Sequence, residues 1–127
     1  MEERRKISSD EIRRIIKAIK ETPFEDIILI SSAKNRSFMS EYKMEDKRWK
    51  SILRSLTEEE YDETLIWDRN PQIELHVFFI TRLLANIEGG KWQDVKIYVK
   101  LGFDYAKKVL VVSFHNPDFP DDERFKQ

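Results

Sequence analysis

The sequence predicts an α+β fold, with N-terminal helices packed on an antiparallel sheet meander. Three observations carry that prediction. Apolar residues recur at three- and four-residue spacing through the first half of the chain, which is the period of a helix with one buried face. From residue 73 onward they run unbroken or alternate, which is the pattern of strands. Two turn signals, EGGK at 88–91 and DYAKK at 104–108, then divide this second half into hairpins.

The elements follow in order. Ser8 and Glu11 stand at capping-box spacing, so a helix starts there. Ile12, Ile15, Ile16 and Ile19 form its apolar stripe, and Pro23 ends it, because the residue before a proline is pushed out of the helical region. Arg13, Arg14, Lys17 and Lys20 lie on its other face, either as a solvated surface or as a surface for an acidic partner. Residues 27–30 are β-branched and apolar and predict a short strand. The polar stretch SSAKNRSFMSEYKM predicts a loop with at most one helical turn. A second stripe of Trp49, Ile52, Leu53 and Leu56 predicts a helix over 45–56. Thr57 and Glu60 repeat the capping spacing and predict a further short helix that carries Tyr61. DRNP at 68–71 is a turn. Residues 73–85, with Val77, Phe78, Phe79 and Ile80 in succession, predict a central strand covered on both faces. Val95, Ile97, Val99 and Leu101 alternate with Lys96, Tyr98 and Lys100 in the next strand, and residues 109–115 form the last. The tail with Pro117, Pro120 and the acidic residues Asp118, Asp121, Asp122 and Glu123 cannot extend the sheet far, and 117–127 is expected to be flexible. Trp49, Trp67 and Trp92 are expected in or beside the core.

With 127 residues, the chain fits one domain of the commonest size, ~100–150 residues. It has 23 Lys and Arg against 24 Asp and Glu, so any attraction to nucleic acid must come from uneven placement of charge. The absence of cysteine excludes disulfides and thiol catalysis. Two histidines, His76 and His115, cannot build a multi-histidine metal cage. There is no glycine-rich phosphate loop and no nucleophile elbow, and no metal or cofactor is expected. No apolar run reaches the ~18 residues that span a bilayer. The charged N-terminal MEERRK is unlike a signal peptide, so a cytoplasmic protein without membrane association is expected.

Hairpin geometry brings the chemistry-bearing residues together. A fold about 105–107 sets Tyr98 opposite Ser113 or His115. A fold about Gly89 and Gly90 sets it opposite Ile80, Thr81 or Arg82. Arg82, Lys96, Tyr98, Lys100, Ser113 and His115 are then expected on one face, since cross-strand neighbours stand ~5 Å apart. A slip of one residue would reverse the faces of a whole strand. Such a set suits metal-free RNA cleavage, in which the 2′-hydroxyl attacks the adjacent phosphate. That reaction needs a base, cations for the phosphorane and an acid for the leaving 5′-oxygen. A histidine is suited to proton transfer by its ordinary pKa of ~6.5. Arginine and lysine hold phosphate, and tyrosine orients the sugar or stacks on a base. The same residue types also make up the ordinary wet side of a sheet.

IYVKL at 97–101 followed by VLVVSFH at 109–115 resembles the closing hairpin of the MqsR family of bacterial toxins, in the RelE-like ribonuclease superfamily. NRSFM at 35–39 and ILRSL at 52–56 resemble the family's preceding order of elements. The resemblance implies a RelE-like fold and an endoribonuclease that cuts messenger RNA and is silenced by a cognate antitoxin protein. It implies Tyr98 and His115 as catalytic residues, with His115 where the family has a lysine; the predicted sheet face adds Lys100 to them. The predicted sheet face offers Arg82 and Lys96 as RNA- or phosphate-binding residues, and the resemblance adds Gln93 and His76. Gln93, in the string WQDV, and His76 are alternative counterparts of the family's glutamine. Asp62 stands where the family has a lysine. The alternative is the same fold used as a protein- or RNA-binding regulatory module without chemistry.

Overall fold

A computed structural model describes residues 4–86 and 88–118. Among the described residues the fold is mixed α+β: three helices and a six-stranded sheet. In chain order these are β1 (Arg4–Arg5), α1 (Ser9–Glu21), β2 (Ile27–Leu29), α2 (Ala33–Glu41), α3 (Asp46–Leu53), β3 (Tyr61–Trp67), β4 (Asn70–Ala85), β5 (Trp92–Phe103) and β6 (Val109–His115). The strands lie in the order β1-β3-β4-β5-β6-β2. The expected meander is present and has four long members, β3 to β6, because β3 joins it. The sheet is not wholly antiparallel, since β2 runs parallel to β6.

Local chemistry explains most boundaries. Ser8 Oγ accepts the Glu11 amide at 3.2 Å and starts α1. Ile12, Ile16 and Ile19 are buried, and Thr22 and Pro23 close the helix. Helix α2 replaces the expected loop. Ser32 Oγ caps it by accepting the Asn35 amide at 3.1 Å, and it buries Phe38 and the polar Asn35. A helix anchored by an asparagine shows little apolar periodicity. The Thr57–Glu60 capping box forms, yet it caps only a single 3₁₀ turn over Glu58–Glu60. Tyr61 therefore opens strand β3 instead of riding on a helix. The turn at Asp68 and Arg69 joins β3 to β4 as a two-residue hairpin loop, with Trp67 opposite Asn70.

The two faces of the sheet differ. One carries all three helices over a core that joins Ile16 and Ile19 to Phe38, Trp49, Leu53, Phe78, Ile80, Val99 and Phe114. The other carries no helix among the described residues. It has its own apolar floor of Leu65, Ile73, Leu75, Val77 and Phe79, flanked by Trp67, Tyr98, Leu110 and Val112. Burial on both faces accounts for the unbroken apolar run of β4. Gly102 permits this second cluster to close. A Cβ there would lie 2.4 Å from the Glu74 carbonyl oxygen, so β4 and β5 approach too closely for any side chain.

Trp49 is in the core, whereas Trp92 is 58% exposed, under the Arg48 guanidinium at 5.4 Å. That corrects the expectation of a core position for Trp92. Most of the acidic tail, 119–127, lies outside the described residues. Among the described residues no helix is long and apolar enough to cross a membrane.

Candidate functional site: a pocket on the bare face

Register decides which side chains meet. On the β6 side the expectation holds: Tyr98 pairs with His115 and Lys100 with Ser113. Phe114 is fully buried against Phe38 and Trp49, with centroids at 5.7 and 6.0 Å. Strand alternation then sends His115 to the bare face. Asn35 fixes this end of β6. Its Nδ2 donates to the Ile30 and Val112 carbonyls at 2.9 and 3.1 Å, and its Oδ1 accepts the Phe114 amide at 2.9 Å. These bonds tie β2, β6 and α2 together beside His115.

On the β4 side the register lies one step outside the expected range. Tyr98 pairs with Phe79, and Arg82 with Val95. The turn is the reason. It is organised by Asn86, whose carbonyl accepts the Gly90 amide at 2.8 Å and whose side chain accepts the Glu88 amide at 2.7 Å. Gly90, at φ +68°, takes the left-handed position. The hairpin is therefore centred before the Gly89–Gly90 pair. The shift moves Arg82 to the helix-covered face, where it forms a bidentate ion pair with Glu60 (2.6 and 3.0 Å) and bonds Ser55 Oγ at 3.1 Å. Arg82 is a corrected expectation, because it does not share a face with Tyr98.

His76 and Gln93 also lie on the helix side, apart from Tyr98. Gln93 pairs with Leu84 on the helix side, beside Tyr42. His76 is buried there at 6% exposure, with Nδ1 2.9 Å from Thr64 Oγ1. Each hydrogen of this chain finds an acceptor when the Ile7 amide donates to Tyr61 Oη, Tyr61 to Thr64 Oγ1 and Thr64 to His76 Nδ1. Burial pushes the His76 imidazole down to about 4, against the opposing pull of Glu74. His76 is a neutral structural group lining a groove of about 720 Å³ beside α1, away from the bare face.

The bare face has its own pocket of about 540 Å³. Val77, Phe79 and Val112 line its apolar part, and Tyr98, Lys100, Ser113 and His115 bring its polar groups. The Tyr98 ring packs edge-on to Phe79 at 5.2 Å and stands 5.8 Å from the His115 ring. Lys100 Nζ lies 5.8 Å from the Tyr98 ring centroid, within cation–π range. His115 Nδ1 is 2.6 Å from the Asn116 carbonyl oxygen. A carbonyl only accepts, so Nδ1 carries the hydrogen, and in the neutral ring the Nε2 lone pair is left to take a proton. Lys96 shares this face, opposite Thr81, but stands outside the pocket lining.

The pocket also contains residues that the sequence did not point to. Lys34, in the first turn of α2, reaches it with Ser32. Lys34 Nζ holds Asp118 Oδ1 at 2.7 Å, and this keeps the Asp118 carboxyl below its usual range, with a smaller pull from His115. Arg4 is also there, held at 2.8 Å by Glu63. Among the described residues no three acidic or histidine side chains converge as metal ligands. No protein-family model matches the chain, and no curated protein matches it.

Proposed function

We propose that this protein is a toxin-type endoribonuclease that cleaves messenger RNA without a metal, on a RelE-like scaffold. The observation that carries the reading is the Tyr98–His115 cross-strand pair with Lys100 beside it, gathered in one pocket. The resemblance of that same hairpin to the MqsR family supports it further, as does the α+β architecture.

In this reading an unpaired RNA strand crosses the bare face. His115 Nε2 removes the proton of a 2′-hydroxyl, whose oxygen attacks the adjacent phosphorus. Lys100 balances the charge of the phosphorane. The pocket mouth is exposed at Lys34 and Asp118, so solvent protonates the departing 5′-oxygen. The products are a 2′,3′-cyclic phosphate and a 5′-hydroxyl. Tyr98, braced by Phe79, orients the ribose through its hydroxyl while its ring stacks on a base. A cognate antitoxin that covers this face silences the enzyme, and the site of action is the cytoplasm. The antitoxin assignment rests on the family resemblance.

The test is cleavage of messenger RNA in EDTA by the parent protein, Tyr98→Phe and His115→Ala. The parent should cut and the variants should be strongly impaired. Equal cutting by all three would remove these residues from the mechanism. Binding without cutting by the parent would leave the alternative, a non-catalytic RNA-binding module.

A further inference from the structure

The mouth of the pocket already holds an anion supplied by the chain itself. Asp118 lies three residues beyond His115 and turns back so that its carboxylate meets Lys34 Nζ at 2.7 Å. Lys34 comes from the first turn of α2, 84 positions away, where the positive end of the helix also favours negative charge. Lys34, Lys100 and His115 border one cavity, so they present cationic or protonatable groups to whatever enters it. Neither partner of the pair is buried, with side chains 60% and 61% exposed, so the contact is weak and exchangeable.

We propose that Lys34 is a second phosphate-binding position of this pocket, taking a phosphate next to the scissile one, and that the Asp118 carboxylate is its intrachain competitor. This rests on the nuclease reading for the identity of the polyanion. A carboxylate and a phosphate oxygen make the same charge-assisted hydrogen bond to an ammonium group. A nucleic acid strand that enters must therefore displace Asp118, and the tail raises the concentration at which the strand binds. The contact then acts as a built-in filter. Strands long enough to place two phosphates at the pocket overcome it, while a lone anion competes poorly with a tethered one.

The experiment uses a fluorescein-labelled all-deoxy oligonucleotide, which lacks the attacking 2′-hydroxyl, and reads affinity by anisotropy in the full chain. The RNA of the same sequence is assayed for cleavage in parallel. Asp118→Asn should bind about two- to five-fold more tightly than the parent, the range expected for an exposed ion pair. Lys34→Gln should bind more weakly, and its salt dependence should be shallower by about 0.7 in log–log slope, as expected for one lost single-strand phosphate contact. In the Lys34→Gln background, Asp118→Asn should give no gain. Equal affinity of parent and Asp118→Asn, or a gain that persists without Lys34, overturns the proposal even if RNA is cut. The expected order of affinities with no cleavage by any protein sustains the proposal and sinks the nuclease reading. No binding by parent and Asp118→Asn alike overturns the proposal, and absence of RNA cleavage beside it overturns the nuclease reading as well.

Discussion

The chain's two histidines sit on opposite faces of one sheet, and the faces give them opposite chemistry. His76 lies on β4 beneath the helix layer, hydrogen-bonded into a chain of hydroxyls and held neutral by burial. His115 ends β6 on the bare face, with Nδ1 satisfied by a carbonyl and the other nitrogen left for proton transfer. Neighbouring sequence does not separate them, because both stand next to an apolar run in a strand. What separates them is which face their strand register selects. A face covered by helices ties its polar group into the core, and an uncovered face leaves it open to solvent.

The largest expected effect tests that division directly. Removing a positioned general base typically costs 10²–10⁴-fold in rate. His115→Ala should lower RNA cleavage by about that factor and leave the thermal midpoint nearly unchanged. His76→Gln, whose amide extends past the Nδ1 position and leaves the buried Thr64 hydroxyl without its partner, should do the reverse. Single-turnover cleavage and thermal melting of the two variants check both halves. A His76 variant that loses activity at full stability would break the comparison.

The next effect concerns Asn35, which holds β6 where it presents His115. Asn35→Ala leaves the buried Phe114 amide and the Ile30 and Val112 carbonyls without their partner. An unsatisfied buried polar group costs about 1–3 kcal/mol, so a loss of about 3 kcal/mol in stability is expected by urea unfolding. Asn35→Asp restores only the acceptor and should remain well below the parent.

Acid sharpens the contrast further. The folded His76 titrates at about 4 against 6.5 in the unfolded chain, so between these values the unfolded state binds more protons. This contribution leaves stability intact above pH 6.5, erodes it as pH falls toward 4, and is flat below. The full loss is about 3 kcal/mol at about 1.4 kcal/mol per pH unit. Urea midpoints between pH 7 and pH 4 should fall less steeply in His76→Gln than in the parent, and identical slopes would refute the burial argument.

The hairpins from β4 to β6 were legible because alternation and glycine turns are local signals. The Tyr98–His115 pairing was one of the two they allowed, the other being Tyr98 with Ser113. Helix α2 was not legible, since its buried anchor is an asparagine whose partners lie as far as 79 residues away. Strand β3 was hidden by a genuine capping box that closes only one turn. Lys34 gave no local hint of its place in the pocket, because the parallel pairing of β2 with β6 is what carries α2 there. The face of Arg82 turned on a single hydrogen-bonded asparagine, Asn86, that shifts the hairpin by one position.

Arg82 therefore gives the smallest and most pointed prediction. Its guanidinium forms a bidentate pair with Glu60 and also bonds Ser55, with side-chain exposures of 21% and 12% for the ionic pair. Such a pair is neither fully desolvated nor freely screened, so Arg82→Met should cost about 1–2 kcal/mol, between the surface and buried limits. It should leave the affinity for RNA, and its salt dependence, unchanged, because the side chain points away from the bare face. The alternative register would place the same guanidinium beside Tyr98, and its removal would then flatten the salt dependence by about one phosphate contact. One salt titration of one variant thus distinguishes the two faces. A flattened slope would mean that the hairpin pairs one step over, and that Arg82 belongs with Lys100 in the pocket.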